Sequence, residues 1–95
     1  MSLSPTLPTL DFYTRDGCQL CDEARTDLQA VLEERVRRGD PIARVREVHL
    51  SDQPEFESRY GALIPVLALG GQELTLVMSQ RAIDRFLDRV LGRLA

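Results

Sequence analysis

The spacing of apolar residues changes character at one turn near the start of the chain, and that change limits the folds open to it. Leu10, Phe12 and Tyr13 form a short β-favouring run and Asp16-Gly17 supplies a turn signal. Cys21, Ala24, Leu28, Val31, Leu32 and Val36 then recur at helical spacing until Gly39-Asp40-Pro41 stops the pattern. The pattern predicts a strand that passes through a tight turn into a helix of about four turns. The only cysteines of the chain, Cys18 and Cys21, sit at that junction with two residues between them.

Beyond this helix, Val45, Val48 and Leu50 lie among Arg44, Arg46, Glu47 and His49, a half-buried pattern suited to an edge strand protected by its charges and ending near Leu50. Ser51 is expected to cap a short helix that runs through Tyr60 and ends at Gly61. Pro65 to Leu69 reads as an apolar strand, Gly70-Gly71 as a turn, and Gln72 to Val77 as the returning strand. Ser79 is placed to cap a last helix whose apolar stripe is Ala82, Ile83, Phe86, Leu87, Val90, Leu91 and Leu94. The order β-α-β-α-β-β-α joins one parallel crossover to one hairpin, which predicts an α/β fold with a mixed four-stranded sheet and helices on both faces. Residues 1 to 8, with Ser4, Pro5, Thr6 and Pro8, are expected to form a flexible lead-in. Residues 9 to 95 form the single domain, since 95 residues with 43% hydrophobic content suit one modest core.

Composition excludes several function classes. The net charge of -3 gives no basic footprint for nucleic acid, and a chain without lysine cannot form a Schiff base. No stretch approaches the roughly 20 apolar residues of a membrane span. MSLSPTLPTL has no basic residue ahead of an apolar run, so a cytoplasmic location is expected. In a reducing compartment a close cysteine pair points to catalysis or metal binding rather than to a structural staple. Zinc would need two further ligands, and one histidine with no third cysteine does not supply them, so no metal is expected. A phosphatase loop is excluded because Ala24 and Asp27, not arginine, stand six positions after the cysteines. Cys18, at the helix entry, is the candidate nucleophile because unpaired amides there favour a thiolate. Cys21, on the apolar face, is the candidate resolving thiol. His49 is read as an exposed strand residue without a catalytic role. The row Arg81, Arg85, Arg89 and Arg93 is read as a solvated face whose charge is partly offset by Asp84 and Asp88.

The segment Tyr13-Thr14-Arg15-x-Gly17-Cys18-x-x-Cys21 resembles the active-site segment of glutaredoxins and glutaredoxin-like proteins. Tyr60-Gly61-Ala62-Leu63-Ile64-Pro65-Val66-Leu67 resembles the stretch that carries the cis-proline loop of thioredoxin-fold proteins. The resemblance covers residues 9 to 94 and extends to the small bacterial glutaredoxin-like proteins with a Cys-x-Leu-Cys-Asp-Glu-Ala segment. It implies a thioredoxin-like fold, Cys18 as attacking thiol, Cys21 as resolving thiol, and a cis Pro65 that turns the Ile64 peptide groups toward an extended substrate. It also implies that Arg15 helps to hold the glycine carboxylate of glutathione. Where glutaredoxins carry a second Gly-Gly, this chain reads Leu76-Val77-Met78-Ser79, which leaves Ser79 and the neighbouring amides for the other carboxylate. Glutathione is therefore expected as a weak co-substrate at most, with no bound cofactor. Gln19 and Leu20 replace the usual Pro-aromatic pair, and Leu20 offers an apolar contact to a protein partner. The implied activity is thiol-disulfide exchange by a monomer acting on a disulfide-containing protein or a glutathione mixed disulfide, with no nucleic acid or membrane involved. The alternative is a non-catalytic redox-sensing or binding module.

Overall fold

The structure, a computed structural model, describes residues 6 to 93. The start of the lead-in, residues 1 to 5, and Leu94 of the last apolar stripe lie outside the described residues. Four strands, β1 (Thr9–Thr14), β2 (Arg44–His49), β3 (Val66–Leu69) and β4 (Gln72–Leu74), form one sheet in the order β2-β1-β3-β4. β1 and β2 are parallel, and β3 runs antiparallel to both β1 and β4. The helices are α1 (Gln19–Arg38), α2 (Glu57–Tyr60) and α3 (Gln80–Leu91). This is the expected thioredoxin-like arrangement, mixed sheet included.

The strand period of two divides the core between the sheet faces. Leu10, Phe12, Leu67 and Leu69 pack against Ala24, Leu28 and Val31 of α1 and Ile83, Phe86 and Leu87 of α3. Tyr13 and Val66 point the other way and meet Leu50, Tyr60 and Phe56. Helices thus cover both faces, with α1 and α3 together on one side. No helix among the described residues is long and apolar enough to cross a membrane.

Local structure departs from the sequence-based expectations at three places. Ser51 caps nothing: Leu50–Asp52 and Pro54–Phe56 are separate 3-10 turns, and only Glu57–Tyr60 is α-helical. Pro54 has no N–H to continue a helix and restricts Gln53 before it, so the segment restarts there. β4 stops at Leu74 rather than Val77, because Leu76 takes a left-handed conformation (φ 51) that leaves the ladder. For a leucine such a conformation costs about 1–2 kcal/mol.

The third departure is on α1, where the apolar stripe predicts a buried Val36 but Val36 is 60% exposed and its neighbour Arg35 is wholly buried. Arg35 reaches between α1 and α3. Its Nε donates to the Pro41 carbonyl (2.8 Å), its Nη1 to Asp84 and Asp88 (3.0 and 2.7 Å), and its Nη2 to the Gly92 carbonyl (2.7 Å). Asp84 and Asp88 therefore do more than offset the arginine row of α3, although Arg93 also donates to Asp88 (3.2 Å). The rest of that row, Arg81, Arg85 and Arg89, is exposed as expected.

Candidate functional site

The topology gathers the candidate residues at one end of the sheet. β1 and β2 both finish there, with Thr14 opposite His49. Antiparallel β3 begins there, with Val66 opposite Tyr13, and β4 ends its pairing with Leu74 opposite Leu67. α1 follows β1 and α3 follows β4, so both helices start at this end. The cysteine turn, the Ile64-Pro65 segment and the Leu76–Ser79 loop consequently leave the same edge of the fold.

Gly17, at φ 71, makes the turn out of β1 in a conformation that an L side chain rarely adopts. Cys18 then takes the N-cap position of α1 with an extended backbone, where Ser, Thr, Asp and Asn are the usual residues. Its Sγ accepts the Cys21 N–H at 3.1 Å, the bond a capping oxygen would make. Cys18 is half-buried and Cys21 fully buried, and the two are joined as a disulfide across a Cα–Cα distance of 5.2 Å. Gln19 and Leu20 between them are exposed, Leu20 by 44%.

The Ile64-Pro65 bond is cis, as the resemblance implies, and Pro65 is buried. The Leu76 amide donates to the Leu63 carbonyl (2.9 Å) and the Val77 amide to the Pro65 carbonyl (3.0 Å), so the loop after β4 is zipped to the proline segment. Between those bonds, the Ile64 peptide groups have no backbone partner among the described residues. Ser79 is exposed and caps α3 by accepting the Ala82 N–H at 3.1 Å.

The charges beside the cysteines are paired in ways that the sequence did not reveal. Arg15 is bonded to Glu57 of α2. Arg25 donates to Asp22 (2.8 Å) and to both carboxylate oxygens of Glu47 on β2 (2.9 and 2.6 Å). Thr14 also donates to Glu47 (2.8 Å). Arg25, opposed by partial burial and helped by Thr14, holds the Glu47 carboxyl below its ordinary value. His49 is only part-exposed, with Nδ1 3.4 Å from Asp16 and Nε2 3.5 Å from Glu47. Glu47, Glu57 and His49 thus stand among the charges near the cysteine turn, a placement that motif reading did not anticipate. The available signal was the register that sets His49 against Thr14, which no local pattern encodes. Among the described residues no group of three or more His, Cys, Asp or Glu could hold a metal ion.

Comparison with known proteins follows the same lines as the geometry. The family described as Glutaredoxin-like domain (DUF836) matches residues 9–91. A structural-genomics target protein from X. campestris, solved by X-ray, shares 31% identity at a TM-score of 0.61, covering 84% of this chain and 96% of that one. A Nitrosomonas europaea protein solved by NMR shares 19% identity at 0.64, covering 90% and 98%. A mutant thioredoxin from Halobacterium salinarum shares 17% at 0.68, covering 95% and 80%, a likeness of fold alone. No curated protein matches the chain. With a cysteine pair at the start of α1 on a thioredoxin fold and a family match spanning nearly the whole chain, the protein belongs to the glutaredoxin-like (DUF836) family.

Proposed function

We propose that the protein is a thiol-disulfide oxidoreductase that reduces disulfides through Cys18 and Cys21. The observation that carries this reading is the Cys18 Sγ at the N-cap of a helix of 20 residues, receiving the Cys21 N–H at 3.1 Å. In the reduced protein the same amide and the helix terminus favour the Cys18 thiolate, the attacking form. That thiolate attacks one sulfur of the substrate disulfide, forms a mixed disulfide and releases the other sulfur as a thiol. The Cys21 thiolate then attacks the Cys18 Sγ, the mixed disulfide breaks, and the second substrate thiol leaves. Two electrons and two protons pass to the substrate, and the protein is left with the Cys18–Cys21 disulfide until an external dithiol reduces it. The free Ile64 peptide groups suit pairing with an extended substrate segment. Glutathione fits less well, because Arg15 is engaged by Glu57 and the Ser79 hydroxyl by the Ala82 amide. A reducing cytoplasm is the compartment in which such a dithiol would be regenerated.

Dithiothreitol-driven reduction of hydroxyethyl disulfide tests the reading. Cys18→Ser is expected to abolish turnover, whereas Cys21→Ser is expected to stop at a mixed disulfide on Cys18, visible by mass spectrometry. Turnover that survives Cys18→Ser overturns the assignment. Reversible oxidation of the wild-type pair without turnover would leave the redox-sensing module as the function.

A further inference from the structure

We propose that the substrate is a protein segment whose disulfide is flanked by apolar and basic residues, and that Leu76 and Met78 select it. The inference rests on the exchange reaction above and names its substrate class. Large apolar side chains exposed among the described residues are Leu7, Leu20, Val36, Val45, Leu76 and Met78. Singly exposed apolar residues need no explanation. Leu20, Leu76 and Met78, however, all lie at the end of the sheet that carries the disulfide, on the cysteine turn and on the loop zipped to Leu63 and Pro65. Grouped apolar exposure around a reactive sulfur marks a contact surface.

Leu76 is the most informative of the three. Its backbone is held at φ 51 by the bond to the Leu63 carbonyl, a conformation in which glycine or asparagine would be less strained. Its side chain is 49% exposed, so little packing in the free protein offsets that strain. A strained bulky residue beside a reactive centre points to contacts made only in a complex. Met78, 68% exposed, lines a cavity of about 350 Å³ with Glu23, Thr26 and Asp27 of α1, and its flexible thioether suits varied apolar groups.

Charge narrows the class further. Arg15 and Arg25 are each matched by carboxylates, while among the described residues Asp16, Glu23 and Asp27 have no arginine partner. The surface around the disulfide is therefore net negative. It disfavours the two carboxylates of glutathione and complements lysine or arginine beside the substrate cysteine.

The test measures second-order rates of the reduced full-length protein with three probes. These are a Leu-Arg-Cys-Leu-Lys peptide as its mixed disulfide with mercaptoethanol, an acidic Ser-Glu-Cys-Ser-Asp counterpart, and glutathione disulfide, each set against hydroxyethyl disulfide. The apolar-basic peptide is expected to react about tenfold faster than the other two, a difference near 1.4 kcal/mol. Added salt should reduce that margin. Leu76→Gly and Met78→Ser should each lower the ratio of apolar-basic peptide rate to hydroxyethyl disulfide rate about fivefold, and Val36→Ser, on a remote exposed site, should leave it unchanged. Leu76→Gly should also raise the urea midpoint, so that stability and selectivity move in opposite directions, which a structural role for the side chain would not produce. Equal rates for the peptides, preference for glutathione disulfide, or an unchanged ratio in Leu76→Gly overturns the inference. Failure to react even with hydroxyethyl disulfide overturns the exchange reaction itself.

Discussion

Helix α1 carries an arginine-carboxylate assembly near each end, and the two differ in what surrounds them. Near its start, Arg25 joins Asp22 to Glu47 across partly exposed surface, 43% of its side chain being accessible. Near its end, Arg35 is sealed from solvent among Asp84, Asp88 and two backbone carbonyls. Water competes for the first set and screens it, whereas the second must satisfy its charge wholly within the protein. No buried side-chain polar atom among the described residues lacks a partner. The Arg35 joint ties α1 to α3, and both helices begin at the cysteine end. The buried Arg35 thus joins the two helices that begin at the cysteine end, while the exposed pairs cancel charge beside the site and contribute little to stability.

Removing the buried partner should have the largest effect. Arg35→Ala removes a wholly buried side chain and takes the donor away from the Pro41 and Gly92 carbonyls, while Asp84 and Asp88 keep Arg38 and Arg93, and it is expected to cost about 3 kcal/mol in urea denaturation. A loss under about 1 kcal/mol would erase the distinction between the two ends.

A smaller, pH-dependent effect is expected at Glu47. Because Arg25 holds its carboxyl below the ordinary value of 4.5, the contribution of Glu47 is complete above that value and fades as the pH falls below it. Glu47→Gln should cost about 1 kcal/mol near neutrality, and the gap to wild type should close as the pH falls below 4.5. A gap that widens on acidification would contradict the pairing.

The smallest change is expected for Arg15→Ala, where a half-exposed ion pair with Glu57 contributes roughly 0.2–1 kcal/mol and less in high salt. A loss that approaches that of Arg35→Ala would show that exposure does not separate the two ends.

Much of this was legible locally. The β-favouring run, the Asp16-Gly17 turn and the helical spacing after Cys18 all depend on residues a few positions apart, and the structure reproduces them as β1, a left-handed Gly17 and α1. The same holds for the Ser79 cap and the apolar stripe of α3. Val36 misled because helical spacing ranks positions by hydropathy, and the partners of Arg35 lie 49 and 53 residues away. Leu76 misled because it stands between the β-favouring Thr75 and Val77, while the bond to Leu63 that bends the chain crosses between segments. The predicted helix from Ser51 overlooked Pro54, a signal that was present in the sequence.

By itself, the sequence determined the order of elements, the place of Cys18 at a helix entry and of Cys21 on a buried face, and the absence of lysine chemistry, since short-range backbone and hydrophobic preferences decide these. Only the tertiary structure decided that Arg35 is buried, that Arg15 is engaged by Glu57, that Glu47 and His49 stand beside the cysteine turn, and that Leu76 is held at positive φ with its side chain half exposed. Each depends on which strands pair and on which helices share a face, and electrostatic partners reach across such contacts without leaving a periodic trace along the chain.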